Sequence, residues 1–199
     1  KLRQVLIRES LWITKWQEKP ENEIAAEFSG NERPVGVDVV PDDLFDQVAD
    51  TVTPQGILGM VDMPVYSLEE ILNSRSRLYL MLDDLRDPGN LGTMIRTSEA
   101  AGVAGVIMSK GTVDLFNPKV VRATMGAIFR VPFIYVDSLP ETIMQMRKKE
   151  ISVYGTILEE SRVYDDPDYT KPSAVVVGNE ANGISREVRE SLSGRIHIP

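Results

Sequence analysis

At 199 residues, with 42% hydrophobic and 26% charged side chains, the chain has ample apolar material for one large or two small globular cores. It carries 30 acidic against 22 basic residues, a formal net charge of −8, so composition offers no electrostatic argument for a nucleic-acid partner, although an acidic total does not forbid a local basic patch. Cys is absent and His197 is the one histidine, which excludes disulfides, thiolate metal sites and Cys nucleophiles in this chain; His197 reads as a structural strand residue and no metal centre is expected.

Taken in chain order, residues 1–34 give no clean periodicity: LWITKWQEKPENE sets two Trp among charges, and no element is assigned there. KLRQVLIRES lacks the apolar run of a signal peptide, and no segment approaches the roughly 20 apolar residues of a membrane-spanning helix. The cytoplasm is the expected compartment, with an organelle as the alternative. Val35–Val40 reads as a strand, the acidic stretch after Pro41 as a helix, and Thr53–Val61 as a turn at Gly56 followed by a strand. These form a small α/β domain over residues 1–61. Residues 62–76, with Pro64 and a short helix candidate at Ser67–Asn73, read as a linker.

Residues 77–199 alternate strand and helix signals. Strands are expected at Arg77–Leu82, Val103–Met108, Pro132–Val136, Ile151–Ile157, Ala174–Val177 and Arg195–Ile198. Helices are expected at Leu91–Ala101, with Gly102 as its C-terminal cap, and from the cap Asn117 and first-turn Pro118 through Phe129. Two more are expected at Pro140–Lys149 and Ser185–Leu192. Such alternation predicts an α/β domain with a parallel sheet flanked by helices on both faces.

Ligands of open parallel sheets bind at the carboxyl ends of the strands. Two loops follow strands there and have unusual composition: residues 83–90 (DDLRDPGN) and residues 178–183 (GNEANG). In the first, Pro88-Gly89 turns sharply and Asn90 can cap a helix whose free N–H groups favour an anion; a capped helix with a solvated Arg96 reads equally well from composition. In the second, Gly178 lets backbone approach a ligand or merely turns. Neither contains GxxxxGK[ST] or GxGxxG, which argues against a P-loop or dehydrogenase module.

Together these stretches resemble the SpoU/TrmH family of the SPOUT superfamily, S-adenosylmethionine-dependent RNA 2'-O-ribose methyltransferases. The family's first motif is matched by Leu82–Val103, containing DPGNLGTMIRT. Its middle signature is matched by Asn117–Pro132 and its second motif by Val175–Ser185, while Arg195–Pro199 matches the start of the third. The stretch VVPDDLFDQVADTVTPQGILGMV resembles the small ribosomal-protein-like RNA-binding domain found with 23S-type members, so the likeness covers residues 35–199.

The resemblance implies a C-terminal trefoil knot, incomplete over these residues because the family's last helix follows Pro199. It implies a homodimer, RNA as substrate (ribosomal rather than transfer) and S-adenosylmethionine as cofactor. It makes Asn90 and Arg96 the catalytic residues. Gly178 and Ile198 would be backbone contacts to the cofactor, with Glu180 shaping that site. Arg122 and Arg130 would contact RNA phosphate or form structural ion pairs. Two alternatives stand beside it: methylation of a base on the same fold, and an inactive RNA-binding or assembly factor.

Overall fold

In the computed structural model, which describes residues 1–29 and 35–199, the first sheet is built around a strand that has no clear signature in the sequence. Strand β1 (Leu2–Arg8) lies between β2 (Gly36–Val40), with which it runs parallel, and β3 (Ile57–Val61), with which it runs antiparallel. Val5 and Ile7, two apart and therefore on one face, are buried with Trp16, Ile24 and Val35. Helices α1 (Glu9–Lys15) and α2 (Glu21–Ser29) supply the aromatic and aliphatic cover, and Trp16 donates its indole N–H to Glu27 at 3.1 Å. The acidic helix α3 (Asp42–Val48) opens after Pro41 as expected, buries Phe45 and sets Asp42 and Asp46 against the Arg8 guanidinium. These elements make up one compact unit, Lys1–Pro64.

The second unit, Val65–Pro199, begins inside the segment expected to be a linker. Helix α4 (Leu68–Leu72) opens with a capping box in which Ser67 and Glu70 satisfy each other's backbone amides, and it buries Ile71 and Leu72 in the core. The segment is short and polar on its outer face, which is why it resembles a linker in sequence.

Seven strands follow: β4 (Leu78–Leu82), β5 (Gly105–Ser109), β6 (Phe133–Val136), β7 (Ser152–Thr156), β8 (Arg162–Val163), β9 (Ser173–Val177) and β10 (Gly194–His197). They pair in the order β6-β5-β4-β9-β7-β10-β8, every pairing parallel. Six of the seven were expected; β8, two residues long, was not. Period-two alternation sorts the side chains. Tyr79, Met81, Ile107 and Val176 pack with α7 (Leu139–Lys148) and α8 (Arg186–Ser191), whereas Leu82, Val106 and Met108 pack with α5 (Pro88–Ala100) and α6 (Pro118–Ala123). Each such fully buried aliphatic contributes about 1.5–3 kcal/mol relative to exposure, so both helical layers are needed to cover the sheet.

One expected helix is cut. Asn117 caps α6 by accepting from the Lys119 amide at 2.9 Å, but the helix stops at Ala123 instead of reaching Phe129. Met125 (φ 50°) and Gly126 (φ 84°) both take the left-handed conformation, and Ala127–Phe129 forms a separate 3-10 turn. The turn lets α6 lie tight on α5: a Cβ on Gly92 would stand 2.3 Å from the Ala123 Cβ.

Candidate active site

The two loops singled out in the sequence follow β4 and β9, which are adjacent strands, and they are bonded to each other. Asp83, buried, accepts from the Ser185 amide at 2.7 Å, and its own amide donates to Val177 O at 2.9 Å. Asn179 donates its side-chain N–H to Asp84 O at 2.8 Å, while its Oδ1 accepts from the amides of Ala181 and Asn182, each at 3.0 Å. Asp87 caps α5 by accepting from the Asn90 amide at 2.7 Å, and Pro88 occupies the first turn, where a missing N–H costs nothing.

Glu180 closes the arrangement. Its Oε2 accepts from the Arg86 amide at 3.1 Å, and its Oε1 accepts from the Asp87 amide at 3.0 Å and from the Asn90 side chain at 3.1 Å. Partial desolvation acts to raise its pKa. The Arg86 amide, the Asn90 side chain and the Asp87 amide together outweigh that and hold the carboxyl at about 2, from an ordinary 4.5. The carboxylate thus fixes the side chain of Asn90 from across the loop pair.

Arg96 lies less than two turns further along α5, exposed, and no hydrogen bond or ion pair holds its guanidinium among the described residues. Asn90 and Arg96 therefore share one helix but not one face, since six residues turn through about 240°. Gly178 has a role the sequence left open. A Cβ there would stand 2.2 Å from Gly183 C and 2.3 Å from Ile184 N, so the glycine makes room for its own chain, where the loop folds back in the Asn179–Gly183 bridge.

Ile198, 78% exposed, lines a cleft of about 520 Å³ with Thr156, Ile157, Leu158, Tyr164, Tyr169, Val175, Ile196 and His197. The cleft lies at the carboxyl ends of β7, β8 and β10. Its volume falls in the range of small-molecule sites, and its largely apolar, partly aromatic walls suit a flat purine and the methylene groups of a methionine chain. These residues fit S-adenosylmethionine. Gly178 and Glu180 are not among the lining residues; they belong to the neighbouring loop. His197 accepts or donates at Nδ1 to Ser161 Oγ at 2.8 Å, consistent with a structural strand histidine. The cleft's Thr156–Leu158 wall was missed in the sequence because an apolar strand end carries no polar signal. Asn179 was also missed, although its spacing to Ala181 and Asn182 is that of an Asx turn.

The other two arginines lie elsewhere. Arg130 forms an ion pair with Glu99 of α5, donating from Nε and, at 3.1 Å, from Nη2. Arg122 is exposed on α6. Among the described residues no cluster of potential metal ligands occurs.

The model of the SpoU rRNA Methylase family matches residues 77–199. The chain is 35% identical over 161 residues to the 23S rRNA (guanosine(2553)-2'-O)-methyltransferase RlmP of Bacillus subtilis, a match covering 81% of this chain and 62% of that protein. It spans 58% of the length of another curated relative, from Synechocystis. Among solved structures, an AdoMet-bound rRNA methyltransferase from Sinorhizobium meliloti superposes with a TM-score of 0.80 at 28% identity, covering 100% of this chain and 71% of that one. An RNA methyltransferase of the TrmH family from Porphyromonas gingivalis does so at 0.79 and 29%, covering 100% and 73%. With the parallel sheet, the joined strand-end loops and the adjoining cleft in place, the chain belongs to the SpoU rRNA methylase family.

Proposed function

We propose that this chain transfers a methyl group from S-adenosylmethionine to a ribose 2'-hydroxyl of RNA, with ribosomal RNA as the substrate class. The observation that carries the reading is the Glu180 clamp, which fixes Asn90 at the strand ends next to the apolar cleft, with the unpaired Arg96 further along the same helix. The activity of the Bacillus relative and the cofactor bound in the Sinorhizobium structure support it.

When bound, the cofactor supplies an already activated sulfonium methyl, so the chain's own residues have only to align, shield and manage one proton. Ile157 and Ile196, both buried on the cleft wall, keep water from that side of the transfer path. Asn90, held by Glu180, orients the attacking hydroxyl. Arg96 keeps its proton at any ordinary pH and so serves not as a base but as a clamp on an RNA phosphate, stabilising the developing alkoxide; a phosphate oxygen of the RNA takes the proton. Ile198, on the cleft wall, would hold the cofactor through its backbone, and Gly178, in the neighbouring loop that the family resemblance also assigns to the cofactor, would do so from beside the cleft, within the trefoil knot implied by the family. The first unit, Lys1–Pro64, is assigned to substrate RNA binding, and two copies form the working cytoplasmic enzyme, the partner helping to complete each site.

The test is nucleoside mass spectrometry of ribosomal and transfer RNA treated with the protein and labelled donor. A 2'-O-methylnucleoside from ribosomal RNA is expected. A methylated base with an intact 2'-hydroxyl would overturn the choice of acceptor, and absence of donor binding in calorimetry would favour a non-enzymatic RNA-binding role.

A further inference from the structure

The longest stretch of the chain without Asp or Glu is residues 115–136, which contains Lys119, Arg122 and Arg130. In a chain of net charge −8 this makes residues 115–136, which include α6 and the turn after it, a local departure from the acidic whole, with Glu99 of α5 the acid that meets it at Arg130. Two large apolar side chains stand out from it: Met125 is 73% exposed and Phe129 53% exposed. Both belong to the turn that cuts the expected helix. Met125 is held at φ 50°, a conformation unfavourable for a residue with a side chain, and Phe129 ends the 3-10 turn.

The turn is tied to the α5 surface that carries Arg96. The Gly92–Ala123 contact brings α6 onto α5. The Arg130 guanidinium reaches Glu99, which lies three residues beyond Arg96 and so on the adjoining part of the helix surface. The same guanidinium lies 3.5 Å from where a Gly126 Cβ would be. Asn90 and Glu99 are about 14 Å apart along the helix axis, from a rise of about 1.5 Å per residue, within reach of a nucleotide close to the one that reacts. Exposed rings among positive charges are how single-stranded RNA is gripped: the charges track the phosphates and a flat side chain stacks on a base without reading its sequence.

We propose that Phe129, flanked by Met125, is a stacking platform for a base near the methylated ribose, with Lys119 and Arg122 facing the adjacent phosphates. This rests on the RNA-methylating reading above and adds a subsite to it. Phe129 is then a positioning residue: it holds the strand so that the hydroxyl reaches Asn90.

The test uses the full chain with a short single-stranded oligoribonucleotide carrying one 2-aminopurine, whose fluorescence is quenched by stacking. Wild type is expected to bind and quench. Phe129→Ala should weaken binding about tenfold and abolish most of the quench. Phe129→Leu, which keeps apolar bulk but no ring, should lose the quench too, and Phe129→Trp should keep both. In methylation assays the KM for RNA should rise in Phe129→Ala while kcat at saturating RNA is largely kept. Because Phe129 is half exposed, unchanged circular dichroism separates this from unfolding. Equal affinity and quench in wild type and Phe129→Ala would overturn the platform while leaving the methyltransferase reading intact. So would a fall in oligomeric mass on light scattering with RNA affinity unchanged, which would make this face a contact between copies. Failure of wild type to bind RNA or transfer a methyl would sink both.

Discussion

The strand-end loops and the α5–α6 surface sit at opposite poles of organisation. In the loops nearly every polar group already has a partner: Asp83 with Ser185, Asn179 with Asp84, Ala181 and Asn182, Glu180 with Arg86, Asp87 and Asn90. On the helix surface Arg96 has no partner among the described residues, and Phe129 and Met125 stand in solvent. The first region is organised before anything binds, as electrostatic preorganisation requires. The second is, on the proposal above, the side that receives RNA. Arg96→Ala breaks the receiving side most severely: kcat should fall by about a hundredfold or more, with no change in melting temperature because the guanidinium holds nothing in the fold. Arg96→Lys sharpens it. Recovery of most of the rate would leave a charge role, and recovery of little would assign the effect to the planar, bidentate guanidinium.

The organised side breaks through Gly178 and Glu180. Gly178→Ala drives a Cβ into the backbone of Gly183 and Ile184, which no side-chain rotation relieves. Loss of about 1–3 kcal/mol from the second unit is expected, seen as a drop of several degrees in melting temperature with donor affinity reduced in calorimetry. Glu180→Gln is gentler, because one carboxylate oxygen becomes an NH₂ that must face the donating amide of Arg86 or Asp87. A roughly tenfold fall in kcat is expected, with the fold retained.

The pH dependence has a definite sign. Glu180 titrates at about 2 in the folded chain against 4.5 ordinarily. Its contribution is fully present above pH 4.5 and is lost as pH falls toward 2. Acid titration of the second unit should therefore show a steeper loss of stability across that window in wild type than in Glu180→Gln. Identical acid limbs would show that the clamp does not contribute.

The same contrast explains what was legible in the sequence. Elements closed by local chemistry could be read in part: α5 ends as expected, with Gly102 (φ 63°) just past it, but it starts at Pro88 with Asp87 as its cap, three residues before the expected cap Asn90, because Pro88 fits the first turn as well as it fits a sharp bend. Strands β4, β5 and β9 are short apolar runs buried on both sides. β1 could not be read, because its partners lie far along the chain at Gly36–Val40 and Ile57–Val61 and its own flanks mix Trp with charge. The break at Met125 was hidden because nothing in a methionine announces φ 50°. At the candidate site, the motifs singled out Asn90, Arg96 and Glu180, which the structure places on α5 and the loop after β9. That Glu180 holds Asn90, and that Gly178 accommodates its own loop, are facts of tertiary approach between β4 and β9 that no spacing encodes.

The smallest effect is expected where a basic residue of the helix surface is already engaged. Arg130 belongs to the same acid-poor stretch as Lys119, yet its guanidinium is held by Glu99, which raises its pKa through the hydrogen bond and is itself held below its ordinary value. The pair is exposed, so solvent screens it and little stability depends on it. An engaged guanidinium also has fewer N–H groups to offer a phosphate. Arg130→Ala should leave kcat within about twofold and shift RNA affinity less than Lys119→Ala does. Removing a cation that neutralises one phosphate lowers the salt slope of binding by about one, so the salt dependence of oligoribonucleotide binding for both variants decides it. A fall of a full unit of slope in Arg130→Ala would mean that the Glu99 pair opens on RNA and that the receiving surface extends across it.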